Sequence, residues 1–198
     1  SMNLDKWDEW QDHPQMIEDI MRMLDNVLSD FIEKAPDSMK RAKYSAMRER
    51  SVGLGVMGWH SFLQAKMIPM EGVMAKVWNR RIFQHIKRQA DDASHTLAEE
   101  RGACPDAADY GVMERFSNKM AIAPTASISI ICGGSSPGIE PIAANAYTHK
   151  TLSGSFPVKN KYFTALLEEK GQNTDDVWSS IFTNEGSVQH LDFLSDDE

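Results

Sequence analysis

The sequence predicts an α/β fold that is mostly helical and carries a few short strands. Two long stretches, 14–34 and 73–101, repeat apolar residues at spacings of three and four, the period of a single buried helix face. A glycine-rich apolar run at 51–58 and a short apolar run at 119–123 each lead into a helical pattern, as strand-helix units do. With 41% hydrophobic and 25% charged residues, the 198-residue chain has the composition of an ordinary folded domain, not of a disordered, fibrous or membrane protein. Its length does not suit a second complete domain, and a piece cut from a larger one would look the same.

Taken in order, residues 14–34 place Met16, Ile17, Ile20, Met21, Met23, Leu24, Val27, Leu28, Phe31 and Ile32 on one helix face, and Pro36 stops the helix. A second helix starts near Asp37, its expected N-cap, and its Lys40, Arg41, Lys43, Arg48 and Arg50 are read as a solvated basic face in preference to an anion site. Residues 51–58 form a buried strand that turns into a helix over Trp59 to Lys66. This run also spells G-x-G-x-x-G. A dinucleotide site would require a second strand ending in an acidic residue about 20 positions on. Glu71 has nearly that spacing but opens the helix 73–101, whose Val73, Val77, Phe83, Ile86, Ala90, Ala93 and Leu97 share one face and leave no room for a strand. The glycines are therefore read as allowing close backbone packing of a barrel strand.

Gly102 suits the C-cap of that helix. Beyond it, Cys104-Pro105-Asp106 begins a turn-rich stretch with Tyr110, Met113 and Phe116 as buried anchors. Residues 119–123 read as a short buried strand, 132–138 as a flexible loop, and 145–158 as an extended or hairpin segment. Two helices close the chain, at about 160–170 and 174–184, before an acidic end expected to fray.

The formal net charge of −8 disfavours nucleic acid as a partner, and no basic stripe interleaved with aromatics offsets it. No apolar run reaches the ~18–20 residues needed to cross a bilayer. The N-terminus lacks the features of a signal peptide, so a cytoplasmic location is expected; the leading Ser1-Met2 resembles the scar of a cleaved tag. Two cysteines are too few for a disulfide framework. Cys104 is expected to pack as a small apolar residue and Cys132 to be exposed, with no base near either in sequence. His60, His85, His95 and His149 never fall at helical metal-pair spacing, so no metal site is expected. Glu140 is read as a solvent-facing loop residue.

The sharpest chemical signal lies at 119–131. Pro124 suits entry into a helix, and the residues behind it carry N–H groups with no intrahelical acceptor. Thr125, Ser127 and Ser129 add hydroxyls to that positive end, so a phosphate can be held without lysine. The alternative is plain N-capping by Thr125 or Ser127.

Five motifs follow one another in the chain: Arg50 to Gly58, Gly102 to Pro105, Met120 to Ser129, Ser136 to Pro141, and Lys150 to Gly154. Together they resemble the large catalytic subunit of ribonucleotide reductase, most closely the bacterial or phage class I type, over nearly the whole chain. The resemblance implies part of a ten-stranded α/β barrel built from two antiparallel five-stranded halves, with this segment similar to much of the second half. It implies one barrel segment comprising a helical lead-in (1–48), strand-helix units with a phosphate loop (49–142), and an extended segment with terminal helices (143–198). It implies that Thr125, Ala126, Ser127, Ile128 and Ser129 hold the phosphates of a ribonucleoside diphosphate, which favours the anion reading over a plain cap.

Many members of the family have an acidic residue where this chain has Ala126 and a serine where it has Ile128, so backbone contacts are expected to matter most at those positions. The family's Asn-x-Cys-x-Glu triplet is absent from the 198 residues, and Cys104 and Cys132 match none of its three catalytic cysteines. No catalytic residue is therefore expected here, and the chain alone is expected to be inactive. The segment itself is expected to bind no cofactor. The intact family enzyme takes its radical from a metal-containing small subunit (class I) or from adenosylcobalamin (class II). Expected partners are the substrate, the rest of the large subunit, the small subunit and further copies of the chain, but neither nucleic acid nor a membrane.

Overall fold

A computed structural model describes residues 1–151, 154–195 and 198, without the side chains of 149–151. Leu152 and Ser153 of the fifth motif, and Asp196 and Asp197 of the acidic end, lie outside the described residues.

The barrel portion is built on backbone stretches that run in parallel. β1 (Met2–Asn3) pairs with β2 (Val56–Met57), Met2 facing Val56 and Asn3 facing Met57. On the other side of this run, Val52 donates to the Asn118 carbonyl at 2.9 Å, Leu54 to Lys119 at 3.0 Å, and Ala121 to Leu54 at 3.2 Å. The glycines make this contact possible. A Cβ on Gly55 would stand 2.3 Å from the Ala121 carbonyl oxygen, and one on Gly53 would stand 3.0 Å from the Ala121 Cβ. The G-x-G run thus serves strand packing.

The expected buried strand at 119–123 contracts to one parallel bridge, Leu54 to Met120, and residues 121–124 are exposed. Among the described residues this stretch is bonded along one edge, to 52–54, which leaves too few neighbours for a longer ladder.

Helices pack against these strands, whose Met2, Leu54 and Val56 share one core with them. After the short α1 (Trp7–Trp10), α2 (Met16–Lys34) packs against the long α5 (Val73–Arg101), whose Ile82, Ile86, Ala90, Ala93 and Leu97 share a core with Ile17 and Met21. Between them come α3 (Lys40–Glu49) and α4 (Trp59–Ala65). The expected apolar faces are shorter than the helices. Val73 and Val77 of α5 are exposed, as are Met23 and Val27 of α2, because α5 extends past the core and α2 buries only a narrow line through Ile17, Met21 and Asp25.

Asp37 lies inside a 3-10 turn behind Pro36 and makes no capping bond. Tyr110 and Met113, expected as anchors after α6 (Pro105–Ala108), are exposed; Phe116 alone of the three is buried. The loop before Phe116 is held by its backbone instead, Cys104 donating to the Glu114 carbonyl and Arg115 to that of Ser94.

The basic face of α3 divides. Lys40 and Arg41 are exposed, Arg48 pairs with Asp106 and Asp109, and Arg50 is buried in left-handed backbone just past the helix. Arg50 reaches the fully buried Asp25 at 2.6 Å, where Arg101 (2.7 Å) and Arg115 (2.9 Å) also end. Burial works to raise the Asp25 carboxyl, but the guanidiniums of Arg115, Arg101 and Arg50 outweigh it and hold the group below its ordinary value.

A second core closes the chain. The hairpin of β3 (Ala146–Thr151) and β4 (Gly154–Lys159) leads into α8 (Lys161–Glu169) and α9 (Asp175–Thr183), as the sequence predicts. Phe163, Leu167, Trp178, Ile181 and Leu191 pack together there. Asn160 caps α8 by accepting from Tyr162 and Phe163, and Thr174 caps α9 by accepting from Val177.

Replacing Asp25 by Asn leaves three guanidiniums facing a neutral group. Urea unfolding is expected to show a loss of about 3–5 kcal/mol, the range for breaking a buried ion pair. Asp30→Asn, in an exposed pair with Lys34, should cost less than about 0.5 kcal/mol. Because the Asp25 carboxyl is depressed in the folded state, its contribution is complete above the unfolded carboxylate value near 3.8. The contribution is lost as the pH falls from there through the lower folded value, a loss absent from Asp25→Asn.

Candidate phosphate-binding loop

The exposed stretch 121–124 ends in Pro124, after which the chain enters α7 (Ala126–Ile131). Thr125, at the helix entry, is buried in left-handed backbone (φ 53°) and makes no capping bond. Its hydroxyl oxygen turns away from the helix and accepts the Gly138 amide at 2.7 Å, while its carbonyl accepts the Ser129 amide at 2.9 Å. Ser129 is also buried, and its hydroxyl donates to the Ala126 carbonyl at 3.2 Å.

Ala126, Ser127 and Ile128 lie between these anchors and are exposed. As residues of a first helical turn their amides have no intrahelical acceptor, and among the described residues no side chain caps them. The open donors are thus three backbone N–H groups and the Ser127 hydroxyl. Of the five sequence-predicted residues, the structure brings Ala126, Ser127 and Ile128 to the surface and turns the hydroxyls of Thr125 and Ser129 into the fold.

The expected flexible loop 132–138 is bonded along its length. Ser135 donates its amide to the Ser129 carbonyl at 3.1 Å. Ser136 and Ser61 exchange amide-to-hydroxyl bonds of 2.8 and 3.1 Å, and Gly58 donates to the Ser136 carbonyl at 2.8 Å. Gly138 (φ 49°) leaves no room for a side chain, since a Cβ would stand 2.9 Å from the Ala123 carbonyl oxygen.

Behind α7 lies a polar cluster that the sequence reading missed. The Ser135 hydroxyl lies 3.2 Å from both Asn3 Oδ1 and Asp5 Oδ2. Lys161 Nζ donates to Asp5 Oδ2 at 2.6 Å and reaches the Gly133 carbonyl at 3.3 Å. The Tyr162 hydroxyl donates to Asp5 Oδ1, and Asn3 Nδ2 donates to the Cys132 carbonyl at 3.4 Å. Burial would raise the Asp5 carboxyl, but bonds from Lys161, Tyr162 and Ser135 hold it below its usual value; burial and the Asp5 charge push Tyr162 up. Only the short Asn3-x-Asp5 turn hints at this cluster in the sequence, because its other members lie more than 120 positions away.

Cys104 is buried and Cys132 exposed, both as expected; Glu140 is also exposed. Among the described residues, no three His, Cys, Asp or Glu side chains stand close enough to hold a metal, and no helix is long and apolar enough to cross a membrane. An apolar cavity of about 520 Å³ lies beside the strand that leads to α7, lined by Leu54, Trp59, Phe83, Met120 and Ile122 among others.

Parallel strand pairings, each leading into a helix, mark the chain as a segment of an α/β barrel. Comparison with known proteins gives the family. The ribonucleotide reductase barrel domain matches residues 1–110 and 105–198, and the chain belongs to this family. The large subunit of ribonucleoside-diphosphate reductase from Invertebrate iridescent virus 6 is 46% identical over 202 residues, covering 100% of this chain and 21% of the viral protein. The class Id ribonucleotide reductase alpha subunit of Actinobacillus ureae superposes with a TM-score of 0.90 at 41% identity, covering 100% of this chain and 36% of that one. The vitamin B12-dependent ribonucleoside-diphosphate reductase of Mycobacterium tuberculosis is 31% identical, over 83% of this chain and 24% of its own length. The chain thus spans between about a fifth and about a third of these relatives.

Thr125→Val removes the acceptor of the buried Gly138 amide. It is expected to cost about 1–3 kcal/mol in thermal or urea unfolding and to speed hydrogen exchange at Gly138 more than at the Ser136 amide.

Proposed function

We propose that this chain is a segment of the barrel domain of a ribonucleoside-diphosphate reductase large subunit, contributing the loop 125–129 that receives the substrate's phosphates. The observation that supports this reading is the exposed first turn of α7, where the amides of 126–128 have no intrahelical acceptor and the Ser127 side chain adds a hydroxyl. Ala126 and Ile128 bring only backbone donors, so the missing acidic and serine side chains do not remove the cradle. Thr125 and Ser129 shape it from within.

In this reading the chain is one unit: a lead-in at 1–48, the strand-helix units at 49–142, and the hairpin with terminal helices at 143–198. The family's chemistry is reduction of ribonucleotides. The 198 residues contain no Asn-x-Cys-x-Glu triplet, so the segment supplies binding and barrel wall while the reacting groups come from other parts of the enzyme. Its partners would be a ribonucleoside diphosphate, the rest of the large subunit and a source of radical. That source is a metal-containing small subunit in class I or adenosylcobalamin in class II, and both kinds of enzyme occur among the relatives.

A second reading is favoured by the presence of the exposed first turn of α7 on a chain without the reactive triplet. Here the chain is a separately encoded piece of a split reductase, or a phosphate-binding module without chemistry. Mixing the chain with the remaining large-subunit segments and a radical source separates these, since recovered ribonucleotide reduction supports the split enzyme and persistent inactivity supports the module.

Calorimetric titration with a nucleoside diphosphate is expected to show binding that Ser127→Ala weakens about 3–10-fold, the loss of one hydroxyl contact. No measurable affinity in either protein would overturn the phosphate-loop reading. The chain alone should not reduce ribonucleotides. The exposed Val73, Met74, Val77, Ile122 and Ile131, with an open strand edge, lead us to expect self-association in gel filtration; a monomer stable to dilution would count against that expectation.

A further inference from the structure

The three open amides stand on a helix that does little to hold itself. α7 has six residues, its outer side chains Ile128, Ile130 and Ile131 are exposed, and the chain beyond it turns through Gly133 and Gly134, both at positive φ. Its orientation therefore depends on bonds at its two ends. At the front, the Thr125 hydroxyl takes the Gly138 amide. At the rear, the Ser129 carbonyl takes the Ser135 amide, and the Ser135 hydroxyl is held between Asn3 and Asp5.

Beyond the local bonds from Cys132 to the Ile128 carbonyl and from Gly134 to that of Ile130, the rear is held from distant parts of the chain. Asn3 reaches the Cys132 carbonyl, Lys161 reaches the Gly133 carbonyl, and Lys161 and Tyr162 together fix Asp5. Lys161 and Tyr162 open α8, so the unit built on the second core grips the rear of the helix that presents the amides. Asp5 is the joint, because the hydroxyls of Ser135 and Tyr162 and the ammonium of Lys161 all meet on its carboxylate.

We infer that Asp5 and Tyr162 are positioning residues for the phosphate loop, setting the direction of the 126–128 amides through Ser135 without touching the ligand. This inference rests on the proposed function of that loop. Neither residue belongs to the cradle: Tyr162 meets Asp5, and Asp5 meets Ser135, at the far end of α7 from the open N–H groups. A carboxylate that accepts from three side chains in a largely covered position has one arrangement, and that arrangement passes to the helix by way of the Ser135 main chain.

The test is calorimetric titration of ADP and, separately, inorganic pyrophosphate into the 198-residue chain and its Tyr162→Phe and Asp5→Asn variants. It is run at a temperature where melting curves show each protein folded, with amide NMR shifts of residues 126–128 followed alongside. Both variants are expected to bind both anions about 3–10-fold more weakly per folded molecule. The amides of 126–128 should shift even without ligand, which a loss of stability elsewhere would not produce. Lys170→Ala, which breaks an ion pair in the same terminal unit but away from α7, should leave both readouts unchanged.

Should Tyr162→Phe or Asp5→Asn fail to fold, Ser135→Ala cuts the same path while leaving Asp5, Lys161 and Tyr162 joined, and the same loss is expected. Wild-type binding with variants inside twofold of it, and unmoved amides, would overturn the positioning role while leaving the loop's function intact. No binding by the wild type would remove both.

Discussion

The closeness of two backbones at Gly53 and Gly55 underlies everything this chain presents to solvent. With only 2.3 Å between a would-be Cβ and the Ala121 carbonyl, no other residue type lets 118–121 lie against 52–55. That contact fixes the path of the chain into Pro124 and so the place where α7 begins. A side chain at Gly55 would push the stretch outward, breaking the Ala121 to Leu54 bond and moving every donor downstream of it. A glycine pattern associated with dinucleotides thus exerts its effect here through steric permission alone.

The helical layer is held in register by a different device. Asp25 on α2 collects Arg101 from the end of α5, Arg50 from the end of α3 and Arg115 from the loop that precedes the strand. One carboxylate thereby locks four parts of the chain that apolar contact alone would let slide. Such a cluster specifies geometry more than it adds to net stability, because desolvating the charges offsets much of their attraction.

The sequence made the helices plain where the apolar period was long: 73–101 matches α5 at both ends, and the terminal helices and hairpin fall where the pattern puts them. It was less informative about which side chains are covered. Val73, Val77, Tyr110 and Met113 are apolar or aromatic yet exposed, since burial depends on what lies opposite in space. Arg50 went the other way, because its partner sits 25 positions earlier on another helix. At the candidate site, Pro124 pointed to a helix start, and α7 begins two residues on. Which hydroxyls turn inward could not be read, since Thr125 bonds to Gly138, thirteen residues on. The Asp5 cluster has no local signature for the same reason. The order of the five motifs points to the family, and the family match over 1–110 and 105–198 agrees with it.

The parallel direction of the short strands has a further result. β1, β2 and the Met120 stretch all point the same way, so Asn3, Gly58 and Pro124 emerge on a common rim. Ladder bonds end at that rim, and the groups that the proposed function assigns to recognition are largely main-chain donors. Under the proposed function, side chains such as those of the exposed Ala126 and Ile128 are free to vary without disturbing the scaffold, because the donors offered at that rim are peptide groups and do not depend on side-chain identity.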